Sequence, residues 1–237
     1  MDTRNWNDAD HLDSILDHIE AVLFDIDGTL VDSMGLWKEV DRIYLARYGK
    51  EMAPDLQTQL SGLSITQTAD YFRDVIGIDE PTEKMLADWN ELAYEQYHDV
   101  VQAKPGALRF VKELHARGIV MAVGTSNTNT LARTVLDVQG FSPYFPVMLT
   151  GEDVVLGKPD PYIYLECARR LGVSPHSCLV FEDISAGLEA GRRAEMRTCA
   201  VRDTFSLFED DRKREIADYY IVDFEDIFEN RVEVLRR

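Results

Sequence analysis

The chain has 237 residues, 45% of them hydrophobic and 29% charged, which describes a globular chain holding one large domain or a core with an insertion. A formal net charge of −18 excludes a nucleic-acid backbone or an anionic membrane surface as the main partner, because both would repel it. Cys167, Cys178 and Cys199 lack metal-site spacing and lie in apolar segments, as expected of small buried side chains in a reducing compartment.

The first residues have no apolar core of a signal peptide, and no apolar run reaches membrane-spanning length, so a cytoplasmic protein is expected. Leu12, Ile15, Leu16 and Ile19 recur at helical spacing and predict a short amphipathic helix. His11 and His18 join no acidic or cysteine cluster and are expected at the surface.

Ala21–Phe24 is apolar and too short for a helix, so it predicts a buried strand. The strand runs into D-I-D-G-T-L-V-D-S, Asp25 to Ser33, where Gly28 ends the extended run and leaves Asp25 and Asp27 at a sheet end. Two carboxylates there repel each other unless a cation or a protonation difference relieves them. As a bare turn they would only be solvated; beside a metal, one of them can attack phosphorus. After Ser33, a candidate N-cap, Leu36, Val40, Ile43, Tyr44 and Arg47 follow one helical face up to Gly49. Further helices are predicted over Ser64–Ile76 and Pro81–Val100, and residues 34–102 offer no strand. An all-helical block between strands breaks strand–helix alternation and predicts a small helical domain over the strand ends.

From Pro105 the chain alternates. Helices are predicted over Pro105–Arg117, Asn127–Gln139, Asp160–Leu171 and Ser185–Ala194, with a closing helix over Phe224–Leu235. Strands are predicted over Ile119–Thr125, Phe145–Thr150, Ser177–Phe181, Arg197–Val201 and Tyr219–Val222. Glu209–Glu215 mixes both signs and reads as a solvated helix face. This pattern predicts an α/β fold: a doubly wound, Rossmann-like parallel sheet, residues 1–32 and 103–237, with a helical cap, residues 33–102.

Ligands in such sheets bind beyond the carboxyl ends of the strands. Asp25, Thr125, Glu182 and Asp183 all fall there. Thr125, Ser126 and Asn127 offer hydroxyl, backbone and amide donors where a helix would start, an anion site. Lys158, in the stiff loop L-G-K-P-D-P, suits a counterion for a phosphate or an aspartyl-phosphate. Glu182 and Asp183 beside Asp25 supply oxygen ligands suited to Mg²⁺.

The strings D-I-D-G-T-L-V-D-S, V-G-T-S-N, G-K-P-D-P and V-F-E-D-I-S-A-G-L-E-A-G resemble the four motifs of the haloacid dehalogenase superfamily, in order and over about the whole chain. The helical insert is similar to the small cap of its phosphatase and β-phosphoglucomutase-like members. The resemblance implies that Asp25 is the nucleophile and Asp27 the acid–base. It implies that Thr125 and Lys158 hold the phosphoryl oxygens, and that Asp25, Asp27, Glu182 and Asp183 surround Mg²⁺. The expected activity is a Mg²⁺-dependent phosphatase acting on a small phosphorylated metabolite. Rivals are a sugar phosphomutase and a non-catalytic phosphate-binding protein. Against the mutase, Trp37 stands where those relatives carry His, and Ile65 where they carry Arg. Asp27 disfavours dehalogenation, since a displaced halide needs no proton, and the first motif does not suit a phosphonate-cleaving enzyme despite Lys38 and Lys50. Glu195 departs from the family's A-G-x-x-A-G, which should alter the turn before the next strand. Met34, Trp37, Ser64 and Thr66 are expected to face the leaving group from a cap that opens and closes, and a monomer is expected.

Overall fold

A computed structural model of the protein describes residues 11–236. The expectation about a leader segment therefore lies outside the described residues. Helix α1 (His11–Ile15) leads into strand β1 (Ala21–Phe24), all four residues of which are buried. A helical segment follows: α2 (Met34–Arg47), α3 (Leu56–Leu60), α4 (Ile65–Tyr71), and α5 (Thr82–Asp99). Alternation then begins with α6 (Ala107–Ala116), β2 (Val120–Gly124), α7 (Asn129–Val138), β3 (Val147–Leu149) and α8 (Tyr162–Leu171). It continues through β4 (Cys178–Glu182), α9 (Ser185–Arg193), β5 (Arg197–Val201), α10 (Asp210–Ile216), β6 (Tyr219–Ile221), α11 (Glu225–Phe228) and β7 (Glu233–Val234).

The sheet order is β3-β2-β1-β4-β5-β6-β7, parallel except for β7, which pairs antiparallel with β6. Strand β1 sits between β2 and β4 with Phe24 level with Val123 and Phe181. Asp25 therefore leaves the sheet beside Gly124 and Glu182. Apolar strand residues buried on both faces drive this arrangement. Phe24 stacks on Phe181 at 5.3 Å, with Phe110 and Phe224 packed around the pair.

The helical segment contains no named strand, as its sequence predicts, but it is not separately cored. One apolar cluster runs from Phe24 and Phe181 through Leu131 and Ala132 of α7 into Trp89, Tyr44 and Phe72 of the segment. Helix α5 packs on α7. No helix among the described residues is long and apolar enough to cross a membrane.

Four local expectations are corrected. The closing helix spans only Glu225–Phe228, because Asn230 turns left-handed at φ 54° and sends the chain back as β7. The second predicted cap helix stops at Tyr71 and continues as a π-helical turn, Phe72–Ile76, ended by Gly77 at φ 79°. Ser33 does not cap α2 with its side chain; its hydroxyl is drawn to Asp27. The mixed-charge stretch is not simply solvated, since Lys213 is fully buried, donating to the Ser206 hydroxyl and paired with Asp210 at 3.2 Å. Arg47 is exposed, whereas Asp41 joins Val40, Tyr44 and Leu45 on the buried side of α2. His18 is exposed, as expected, and the side chain of His11 lies outside those described.

Candidate active site

The level strand ends gather the motif residues. Lys158, 5% exposed, donates to Asp25 Oδ1 at 2.7 Å and also to Glu182 Oε1. Glu182 is fully buried and accepts in addition from the Tyr164 hydroxyl at 2.6 Å and the Asp183 backbone N–H at 3.1 Å. Burial pushes the Asp25 carboxyl up to about 8, with Glu182 and Asp27 adding to the rise and Lys158 opposing it. Burial also works against the charged Lys158 ammonium, but Asp25 and Glu182 override it and hold the group above its usual range.

Asp183 accepts from the Thr29 hydroxyl at 3.3 Å through Oδ1, while its Oδ2 is buried with no partner. Burial, then Glu182 and Asp25, drives its carboxyl well above the usual range. A buried, unpartnered carboxylate oxygen facing two other acids is what a missing cation leaves behind. Oxygen atoms of Asp25, Glu182 and Asp183 lie within 4.8 Å of one another. Gly28 lies across from them at φ 77°, and a Cβ there would sit 2.3 Å from Asp183 Oδ2. The donor set is all oxygen, so it fits a hard divalent cation such as Mg²⁺.

Asp27 is held by a second group of residues. Its Oδ1 accepts from the Ser33 hydroxyl at 2.5 Å and from the Tyr97 hydroxyl, and its Oδ2 from Asn127 Nδ2 at 2.8 Å. Tyr97 belongs to α5, and its oxygen in turn accepts from Trp37 Nε1 at 2.8 Å and Asn127 Nδ2 at 3.0 Å. Burial first, and Asp27 second, keep the Tyr97 hydroxyl well above its usual range, so it stays a donor.

Thr125 is buried at the end of β2, its hydroxyl accepting from the Asn127 N–H at 3.1 Å. Thr125, Ser126, Asn127 and Lys158 all line one cavity with Asp25, Asp27 and Asp183. The expected helix start at Asn127 is two residues early: α7 begins at Asn129, capped by the Thr128 hydroxyl, and the Asn127 amide is committed to Asp27 and Tyr97.

The cavity, of about 190 Å³, is closed on its far side by the helical segment and by the loop after β5. Met34 and Trp37 line it as expected. Ser64 and Thr66 do not: Ser64 is buried as the N-cap of α4 in a capping box with Gln67, and Thr66 bonds to the Ser64 hydroxyl. Their polar groups are consumed by the helix start. Instead the wall is formed by Asp41, Gln57, Leu60, Ser61, Thr68 and Trp89, with Phe205, Phe208 and Glu209 from the core side. Asp41 was readable only as an acid on an otherwise apolar helix face.

Residues 22–201 match the haloacid dehalogenase-like hydrolase family. The chain is 34% identical to the phosphorylated carbohydrates phosphatase of Thermotoga maritima, covering 70% of this chain and 76% of that protein. It is 31% identical to the fructose-1-phosphate phosphatase of Escherichia coli, covering 70% of this chain and 85% of the relative. CbbY from Rhodobacter sphaeroides, solved in complex with phosphate, shares the fold at a TM-score of 0.76 and 24% identity, over 87% of this chain and 95% of its own.

Proposed function

This chain belongs to the haloacid dehalogenase-like hydrolase family, and we propose that it is a Mg²⁺-dependent phosphatase of a small phosphomonoester. The observation that carries the reading is the meeting of Asp25, Asp27, Lys158 and the unpartnered oxygen of Asp183 around one cavity. Asp25 would attack phosphorus, forming an aspartyl-phosphate as the ester P–O bond breaks. Asp27 would give its proton to the departing oxygen, then take one from the water that attacks the aspartyl-phosphate and frees phosphate. Lys158, Thr125, Ser126 and Asn127 border the place of the phosphoryl oxygens. Mg²⁺ would be held by Asp25, the backbone carbonyl of Asp27 and Asp183, with Glu182 close by, and would neutralise charge on the phosphoryl group.

We read residues 33–102 as the cap and residues 1–32 with 103–237 as the core of a monomeric enzyme. The cavity is smaller than sites for drug-sized ligands. That supports a small leaving group, and the carbohydrate-phosphate phosphatases among the relatives support a phosphorylated metabolite of that kind. The mutase reading is weaker at Trp37, where the indole N–H is spent on Tyr97 and no proton-carrying group stands.

The test is phosphate release from p-nitrophenyl phosphate with and without Mg²⁺, for the wild type and Asp25→Asn. Metal-dependent turnover lost in the mutant is the expected result. Equal turnover in both proteins, or none with any divalent metal, would sink the reading. Conversion of β-glucose 1-phosphate to glucose 6-phosphate rather than to phosphate would favour the mutase.

A further inference from the structure

Asp41 is a carboxylate on α2 that lines the cavity yet is only 5% exposed. It has no ion-pair partner among the described residues; its one side-chain hydrogen bond comes from Gln57 Nε2, at 2.7 Å to Oδ2. A carboxylate taken from water this far, with so little in exchange, is costly unless something else meets it. Burial, only partly offset by Gln57, raises its carboxyl to about 7. A second, independent irregularity lies on the same wall. Trp89 also lines the cavity, and its Nε1 is buried with no partner, although an indole N–H can only donate.

An unmet acceptor and an unmet donor along one cavity define a ligand chemistry. An ammonium would satisfy Asp41 but leave the indole N–H facing another donor. An alkyl group would leave both unmet. A hydroxyl both donates and accepts, so hydroxyls answer both groups. Aromatic side chains of Trp37 and Phe205 supply apolar wall for the carbon skeleton between them.

We propose that Asp41, positioned by Gln57, and Trp89 form the specificity subsite of this enzyme, selecting a leaving group that carries free hydroxyls beyond the ester oxygen. The inference rests on the phosphatase reading above and adds to it the residues that choose the substrate. Sites built to hydrogen-bond a substrate hydroxyl reject analogues lacking it far more strongly than apolar pockets reject a size change.

The experiment compares kcat and KM with Mg²⁺ on three monophosphates of equal chain length: a polyol, a hydroxyl-free alkyl and an aminoalkyl ester. Asp41→Asn is expected to lower kcat/KM for the polyol ester at least about tenfold more than for the alkyl ester, mostly through KM. Gln57→Leu should shift the same ratio in the same direction by less. Equal losses on polyol and alkyl esters, or a larger loss on the aminoalkyl ester, overturn the subsite. If the wild type releases no phosphate even from p-nitrophenyl phosphate, the hydrolase reading falls and this one with it. Wild-type turnover with an unchanged ratio in Asp41→Asn defeats this inference alone.

Discussion

At Asp27 the acid–base candidate is fixed by donors from three separate parts of the chain: Ser33, Asn127 and Tyr97. Tyr97→Phe removes one donor and leaves the Trp37 N–H without its acceptor. A carboxyl that is less well aligned matters most where the leaving oxygen needs a proton. The expected loss in kcat is about tenfold on alkyl monophosphates and clearly smaller on p-nitrophenyl phosphate, whose leaving group departs unprotonated. Equal losses on both would assign Tyr97 to packing alone. Asp41 gives a prediction about stability. Burial holds its carboxyl near 7 in the folded chain, whereas in the unfolded chain it returns to the ordinary carboxylate range. Between those values the folded chain keeps a proton the unfolded chain has released, and stability falls as pH rises through that window. Asp41→Asn should therefore melt close to wild type near pH 4 and higher than wild type at pH 8. The gain at pH 8 is at most a few kcal/mol, since a tenfold change in proton affinity corresponds to about 1.4 kcal/mol. A thermal melt across that range checks it.

Among the elements, the turn between α9 and β5 shows how a local sequence departure is accommodated. Glu195 adopts φ 60°, in the left-handed region that a side chain with a Cβ enters at a cost. Its only ion pair is with His176, at 3.4 Å, where both side chains are exposed. Glu195→Gly is expected to raise stability by up to about 1 kcal/mol, the relief of strain exceeding the added freedom of the unfolded chain. A denaturant midpoint that falls would refute it. The same scale shows what the sequence made legible. Strand ends and their motif residues are local patterns, so Asp25, Thr125, Lys158 and Glu182 could be placed from the sequence alone. Helix boundaries within the cap could not, because the π-helical turn at Phe72–Ile76 lacks a distinct periodicity. Ser64 was misassigned to the cavity for a local reason: its hydroxyl had a nearer use at the start of α4. Asp41, Gln57 and Trp89 were missed because only tertiary packing brings them to the cavity wall.

Across the whole molecule, the two regions share one apolar cluster, with Trp89, Tyr44 and Phe72 continuous with Leu131 and Phe24. A chain cored this way should lose its structure in a single step, with tryptophan fluorescence and circular dichroism giving coincident transitions. The cysteines supply an internal reporter of that step. Cys167, Cys178 and Cys199 are free and buried, burial pushing Cys167 and Cys178 up to about 12 and Cys199 well above its usual range. Protonated and shielded, they should ignore a thiol-specific dye while the chain is native and react together once it opens. The protein thus carries its own stopwatch: the rate at which an alkylating reagent consumes these sulfurs would time unfolding, with no label added and no residue changed.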